Sequence, residues 1–353
     1  MDQIPGVSIV ITCYNLESFI EEALLSVFSQ DYAGPLQIII VDDASTDRSA
    51  EVIANTIRHH GQGKDITFLR HDTNLGIAGT TDKAWALAKY DWIIEADGDD
   101  IQFPDRCTRT MALAARYPEA GLIIMSHECI DDQGIPFRTR HMIADDDASD
   151  FVAQGPAMRA AIYLEKGEAF PVYKDAYGCS MAIHKRLITQ WGPLAAGDGH
   201  FAQDPPWQQR AFLSAPVVWS NALACQYRTH ATNILNKARA FNTLQDYVNY
   251  ELDVCAYDHK ALLAIQCMLQ DAQRSRQQGL TDWSPSDVDT CITLIQQYHT
   301  AHTIRAHWWS TPFIKRVYLV LRHYSHFPIR FKRYFLSRLL PLRLVAWRNK
   351  RKH

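Results

Sequence analysis

The chain has 353 residues, 47% of them hydrophobic and 21% charged, with a net charge of −3. That length suits one large domain or about two of roughly 150 residues, and the composition excludes disorder, collagen-like repeats and a coiled coil alone. The near-neutral total hides a split: all 39 acidic residues fall in 1–289 beside 23 of the 36 Lys/Arg, while 290–353 holds the other 13 cations and no acid. The cysteines form no C-x-x-C pair, which fits reduced thiols in a cytosolic compartment rather than a disulfide framework or a zinc pattern. No basic leader precedes the first strand, and no apolar run reaches the ~18 residues that a membrane span needs.

From the N-terminus, Val7–Thr12 reads as a short β-branched strand, and Phe19, Ile20, Ala23, Leu24, Val27 and Phe28 give 17–30 a helical stripe. Leu36–Val41 is continuously apolar, as in a strand covered on both faces. Helix 46–59, strand 66–70, helix 77–89, strand 91–96, helix 104–116 and strand 120–126 follow. Strands alternating with helices predict an α/β fold with a mostly parallel sheet, in which ligands bind outside the carboxyl ends of the strands. Beyond 126 the pattern loosens into an acidic loop, Asp145-Asp146-Asp147, and short runs such as Val217-Val218-Trp219. Apolar residues at seven-residue spacing predict a long helix over 243–277. Ser284-Pro285-Ser286-Asp287 reads as an N-cap with proline at the first helical position, opening a helix to 299. The two are expected to pack on the protein as a hairpin.

Three polar clusters fall at strand ends: Thr12-Cys13-Tyr14-Asn15, Asp42–Asp47, and Asp97-Gly98-Asp99-Asp100. Asn15 suits a cap of the next helix, and Ser45, Thr46 and Asp47 suit the start of helix 46–59. Those roles leave Asp42, Asp43 and the carboxylates of Asp97–Asp100 unexplained. Like charges packed into one turn raise one another's pKa. A divalent cation removes that cost, and hard oxygen ligands select Mg2+ or Mn2+.

The combination Ser8-Ile9-Val10-Ile11-Thr12-x-Tyr14-Asn15, Val41-Asp42-Asp43-Ala44-Ser45-Thr46-Asp47, Asn74-Leu75-Gly76 and Asp97-x-Asp99-Asp100-x-x-x-Pro104 resembles a family 2 glycosyltransferase. The match in order and spacing covers residues 5–110 and continues more weakly to about 232. The resemblance implies the GT-A (nucleotide-diphospho-sugar transferase) fold, a nucleotide-diphosphate sugar donor such as a UDP-sugar, and inversion at the anomeric carbon. It implies that Thr12, Tyr14 and Asn15 belong to the donor site, with Thr12 and Tyr14 lining the nucleoside pocket. Asp43 would accept from the base, and Asn74 and Gly76 would border the nucleotide and sugar. Asp97 and Asp99 would form the metal-binding D-x-D, with Asp99 the direct ligand. Gly178-Cys179-Ser180-Met181 resembles the acceptor side of the pocket, and Asp204 the general base. The chain departs from the family at Gln203-Asp204, where an acidic pair is usual, and at Thr81-Asp82, where many members carry Arg-Asn. Tyr227-Arg228-x-His230 resembles a late motif in which Arg228 or His230 faces the diphosphate or serves the fold.

An inverting displacement needs one base, because the acceptor hydroxyl is a poor nucleophile near neutral pH. A dinucleotide-binding oxidoreductase would need a glycine-rich turn after the first strand, where this chain has Thr-Cys-Tyr-Asn-Leu-Glu. A nucleotidyltransferase lacks its phosphate-cradling glycine loop here, and a non-catalytic nucleotide-sugar-binding scaffold on membranes would not need Asp97, Asp99 and Asp204.

Four regions follow: 1–126 as the nucleotide-sugar half, 127–235 as the acceptor half, 236–303 as a helical extension, and 304–353 as a basic amphipathic tail. In the tail, Pro328 and Pro341 bracket a short helix with Ile329, Phe335, Leu336, Leu339 and Leu340 as apolar positions and Arg330, Arg333 and Arg338 as cations. Basic, aromatic-rich amphipathic helices lie in the membrane interface, and anionic headgroups add about 1 kcal/mol per nearby Lys or Arg. The expectation is peripheral attachment of 304–353 to an anionic surface at the inner face of the cytoplasmic membrane. There a glycan or lipid-linked glycan would be the acceptor. Nucleic acid is excluded as a partner by the acidity of the rest of the chain. The rival reading has the tail's aromatics packed on the protein and its cations solvated.

Overall fold

A computed structural model describes residues 4–143, 150–164, 176–194, 199–230 and 244–339. The acidic loop at Asp145–Asp147 and the tail beyond Leu339 lie outside the described residues. The first half runs β1 (Val7–Cys13), α1 (Ile20–Phe28), β2 (Leu36–Asp42), α2 (Ser49–His60), β3 (Asp65–Arg70), α3 (Gly76–Ala86), β4 (Trp92–Asp97), β5 (Ile101–Gln102), α4 (Arg106–Arg116) and β6 (Leu122–Ile130). Next come β7 (Pro136–Arg140), β8 (Asp150–Ala153), α5 (Pro156–Leu164), a 3-10 turn at Gly178–Ser180, β9 (Met181–His184), α6 (Lys185–Trp191), α7 (Asp204–Ser214) and β10 (Val217–Arg228). The C-terminal helices are α8 (Leu244–Gln278), α9 (Pro285–Ala306), α10 (Phe313–His323) and α11 (Ile329–Arg338).

The ten strands form one sheet in the order β3-β2-β1-β4-β9-β6-β10-β5, with β7 on β6 and β8 on β10. The pairs β3-β2, β2-β1, β1-β4 and β6-β10 are parallel, and β9 enters antiparallel between β4 and β6. Residue 126 lies inside β6, so the sheet runs without a break across the boundary read from the sequence.

Alternation along each strand divides the core in two. Ile9, Ile11, Ile38, Ile40 and Ile94 pack with Leu24 and Val27 of α1 and Cys107 of α4. Val10, Ile39, Val41 and Ile93 face the other way, onto Trp85 of α3 and Trp207 of α7. Ala264, Ile265 and Met268 of α8 and Cys291 and Ile295 of α9 join this second cluster, so the α8–α9 hairpin roofs one face of the sheet. A buried ion pair, Arg210 Nε to Asp271 Oδ2 at 2.7 Å, fixes α7 to α8.

The tail differs from the sequence expectation. Trp308, Phe327, Phe331 and Phe335 are buried and form a third cluster with Tyr298 and Ala301 of α9. Phe335 is therefore a core residue of α11 and not part of an exposed apolar face. Arg305 is paired with the buried Asp258 of α8. Among the described residues no helix is long and apolar enough to cross a membrane.

Candidate active site

The carboxyl ends of three adjacent strands are in register: Cys13 opposite Asp42, and Thr12 opposite Asp97. Two loops above them are laced together. The Asn15 N–H donates to Ser45 Oγ at 2.9 Å, and Asn15 Oδ1 accepts from the Thr46 N–H at 2.8 Å. The Leu16 N–H donates to Ser49 Oγ and the Glu17 N–H to Asp47 Oδ2. Asn15 thus caps the neighbouring loop and not α1, whose N-terminus has no side-chain cap. Asn15 (φ 55) and Ala44 (φ 59) both sit in the left-handed region, which asparagine tolerates and alanine rarely adopts. Tyr14, which precedes Asn15 at the end of β1, is 47% exposed.

Asp43 is buried and organises the next loop. Its Oδ1 accepts from the Leu75 N–H at 2.8 Å and faces His71 Nδ1 at 3.0 Å, and its Oδ2 accepts from the Gly76 N–H at 3.0 Å. Asn74 Nδ2 donates to the Asp43 carbonyl. Three of the roughly four acceptor sites of this carboxylate are therefore taken by the protein. A side chain at Gly76 would strike the backbone of Gly199 and His200, and its φ of +75 also favours glycine.

The D-x-D turn follows β4. Gly98 donates its N–H to the Thr12 carbonyl at 2.9 Å, and a Cβ there would come within 2.8 Å of that oxygen. Asp99 is mostly buried and meets His230 Nε2 at 2.8 Å through Oδ2. Arg228 serves this turn from within. Its N–H donates to Asp100 Oδ1 at 2.7 Å, its Nε to the Asp99 carbonyl at 2.9 Å, and its guanidinium reaches Glu22 and the carbonyls of Asp131 and Asp132. Of the two late-motif residues, His230 touches the D-x-D carboxylate and Arg228 clamps the backbone around it.

Asp204 opens α7 and is brought against the same turn. Burial, then the charges of Asp99 and Asp204, push the Asp97 carboxyl up to about 8. Burial likewise pushes Asp204 up to about 7, against the opposing pull of the nearby Gly178 backbone N–H. Behind both lies Glu95, on β4, which sequence reasoning missed. It is fully buried, raised well above the carboxylate range by burial and then by Asp204 and Asp97, and accepts from Gln203 Nε2 at 2.5 Å. An acid inside an otherwise apolar central strand was the available signal. Gly178 fits between them; a Cβ there would lie 3.0 Å from Asp204 Oδ1 and 3.2 Å from Gln203 Nε2. At the other departure from the family, Thr81 is buried in α3, and Asp82 accepts from the Leu194 N–H at 2.8 Å.

Glu95 Oε2 and Asp204 Oδ1 are buried and have no hydrogen-bond partner. Clustered hard carboxylates, two of them with unmatched buried oxygens, suit a cation of the Mg2+ or Mn2+ type, and Asp97 and Asp99 are more accessible than Glu95 and Asp100.

The carboxylates gather at the carboxyl ends of the parallel strands, the place where open α/β sheets bind their ligands. Residues 8–189 match the profile of glycosyl transferase family 2, and the chain belongs to that family. It is 27% identical over 135 residues to EpsE of Bacillus subtilis, which is 38% of this chain and 48% of that protein. It is 30% identical over 99 residues to the poly-beta-1,6-N-acetyl-D-glucosamine synthase of Staphylococcus epidermidis, covering 28% and 23%. The chain thus spans less than half the length of these curated relatives. The crystal structure of S. aureus TarS 1–349 in complex with UDP-GlcNAc aligns with a TM-score of 0.57 at 15% identity, over 98% of this chain and 89% of that one. The shared fold is GT-A, followed here by a C-terminal helical region.

Proposed function

We propose that this chain is an inverting, metal-dependent glycosyltransferase. It moves a sugar from a nucleotide-diphosphate donor, a UDP-sugar, to a hydroxyl of a glycan or lipid-linked glycan during cell-surface polysaccharide synthesis. The observation that carries the reading is the meeting of Asp97 and Asp99, at the end of β4, with Asp204 at the start of α7. The names of the relatives, a polysaccharide synthase among them, agree with the product class.

In this reading Thr12, Tyr14 and Asn15 receive the nucleoside, and Asp43, with Asn74 and Gly76, shapes the loop against base and sugar. Asp97 and Asp99 would hold Mg2+ or Mn2+, which would supply charge neutralisation for the departing diphosphate. His230 orients Asp99 through its 2.8 Å contact, and Arg228 keeps the turn rigid. Asp204 takes the proton of the acceptor hydroxyl, and burial that lifts its carboxyl to about 7 makes it a competent base near neutral pH. The hydroxyl oxygen bonds to the anomeric carbon on the face opposite the leaving diphosphate, so configuration inverts. The tail, 304–353, keeps the enzyme on the anionic inner face of the cytoplasmic membrane, within reach of a lipid-linked acceptor.

The test is a panel of nucleotide-sugars offered to the purified chain with Mn2+ and short glycan acceptors. Released nucleotide diphosphate and the anomeric configuration of the product are measured. Inverted product from one donor supports the reading; retained configuration, or no turnover with any donor, overturns it.

A further inference from the structure

Helix α10 is held to the protein by one face only. Val320 is 2% exposed and packs into the cluster of Trp308, Phe327 and Phe335. Phe313, Ile314, Val317, Tyr318 and Leu321 follow i, i+1, i+4, i+5 and i+8 spacing, which gathers them on a second face. That face is open: Phe313 is 56% exposed, Ile314 82%, Tyr318 54% and Leu321 74%. Scattered exposed apolar residues are ordinary, but a contiguous stripe along one helix marks a binding surface.

The surroundings of the stripe identify what covers it. No acid occurs anywhere in 290–353, and Lys315 and Arg322 border the stripe, both exposed. Arg316 lies over the rings of Trp308 and Trp309, and Lys332 of α11 over Tyr324. Tyr318 and Tyr324, both exposed, join an apolar ring to a polar tip, the form favoured at a membrane–water boundary. An apolar stripe edged by cations alone complements a layer of anionic headgroups over acyl chains. A helix of 11 residues, about 16 Å long, lies in that layer and does not cross it.

We propose that α10 is the element of this chain that enters an anionic lipid surface, with Phe313, Ile314, Tyr318 and Leu321 at the acyl boundary and Lys315 and Arg322 among the headgroups. The proposal rests on the membrane reading above and narrows it from the whole tail to one helix. It also moves the contact away from α11, whose Phe331 and Phe335 are already buried.

Flotation of the full chain with vesicles of neutral lipid, and of neutral lipid with about one-third anionic phosphatidylglycerol, tests it. Truncating the tail would uncover Tyr298 and Ala301 of α9, so the informative variant is Ile314→Asp/Leu321→Asp, which alters only exposed positions. The wild-type chain should float with anionic vesicles only. The variant should partition at least ~10-fold less, with unchanged thermal midpoint and unchanged turnover of a soluble acceptor. Equal flotation of variant and wild type overturns the role of α10 and leaves the membrane reading to other parts of the tail. Absence of wild-type flotation overturns both, as does a stripe-dependent dimer that replaces lipid binding. Equal flotation on neutral vesicles overturns the anionic-surface proposal.

Discussion

Gln203 donates its amide to Glu95 at 2.5 Å, inside the protein and directly behind Asp97 and Asp204. This contact accounts for the departure at Gln203-Asp204. Glu95 already places a buried acid at this point; it calls for a neutral donor opposite, and a second acid at 203 would add another carboxyl to desolvate. The amide supplies that donor at no charge.

Gln203→Glu should therefore destabilise the fold by about 1–3 kcal/mol, because it replaces the amide donor to Glu95 with a second carboxyl that must be desolvated. Glu95→Gln in the same chain should recover most of that loss by restoring an amide–carboxylate pair. Denaturant melts of the two single variants and the double give the coupling directly. Additive effects would show that the contact contributes nothing.

Asp99→Ala should lower kcat by about three powers of ten or more while leaving the thermal midpoint near that of the native chain, since in its proposed role the side chain holds the metal and it lies outside the apolar core. His230 loses its 2.8 Å partner in this variant, so His230→Ala should reproduce part of the defect by releasing Asp99. Turnover of the native chain should stop in excess chelator and return with Mn2+. Full activity in chelator would remove the metal from the mechanism.

The alternation of strands and helices up to residue 116 was legible because each element carries its own period. Helix starts were less so. Residues 17–19 and 46–48 precede α1 and α2 because Glu17, Ser45, Thr46 and Asp47 spend their polar groups lacing one loop to the other. The strand expected over 120–126 continues to Ile130 because β7 and β10 pair along its far end. β5, β8 and β9 have two to four residues each, and partners distant in sequence, which no local pattern reveals. The acids of the site could be read from motif spacing, but the burial of Glu95 and the clamp formed by Arg228 depend on contacts across the sheet.

Asp204→Asn keeps the shape of the side chain and removes its basicity. Donor binding, followed by thermal shift or calorimetry, should stay within about threefold, while transfer falls by roughly 10²–10⁴. In the native chain, kcat/KM should rise with pH as the Asp204 carboxyl loses its proton, with a midpoint no higher than about 7 because a bound cation favours the ionised form. A variant that transfers at the native rate would place the base elsewhere. The neighbouring candidate Asp198, which lies outside the described residues, would then be tested by Asp198→Asn.

The raised carboxyls also set how stability varies with pH in the metal-free protein. Asp97 is lifted to about 8 and Asp204 to about 7, each first by burial, from an ordinary 3.8. Between those limits the folded chain holds more protons than the unfolded one, so unfolding free energy falls as pH rises. Glu95 and Asp100, also raised, act in the same direction. Asp47 and Asp258 are held below the usual range and act oppositely, but only at pH values beneath 3.8. In chelator, then, the thermal midpoint should decline from about pH 6.5 to about pH 8, above the range in which His184, His299 and His323, whose pKa values burial lowers, act the other way. Mn2+ with a nucleoside diphosphate should flatten the decline, because a cation beside the carboxylates favours their ionised form and binds only the folded chain. Asp97→Asn should raise the chelator midpoint at about pH 8 and change it little at about pH 5, where the native carboxyl already carries its proton. A midpoint that climbs with pH in chelator would mean that these acids are ionised and matched within the fold, and that the cleft does not store the charge repulsion on which metal binding depends.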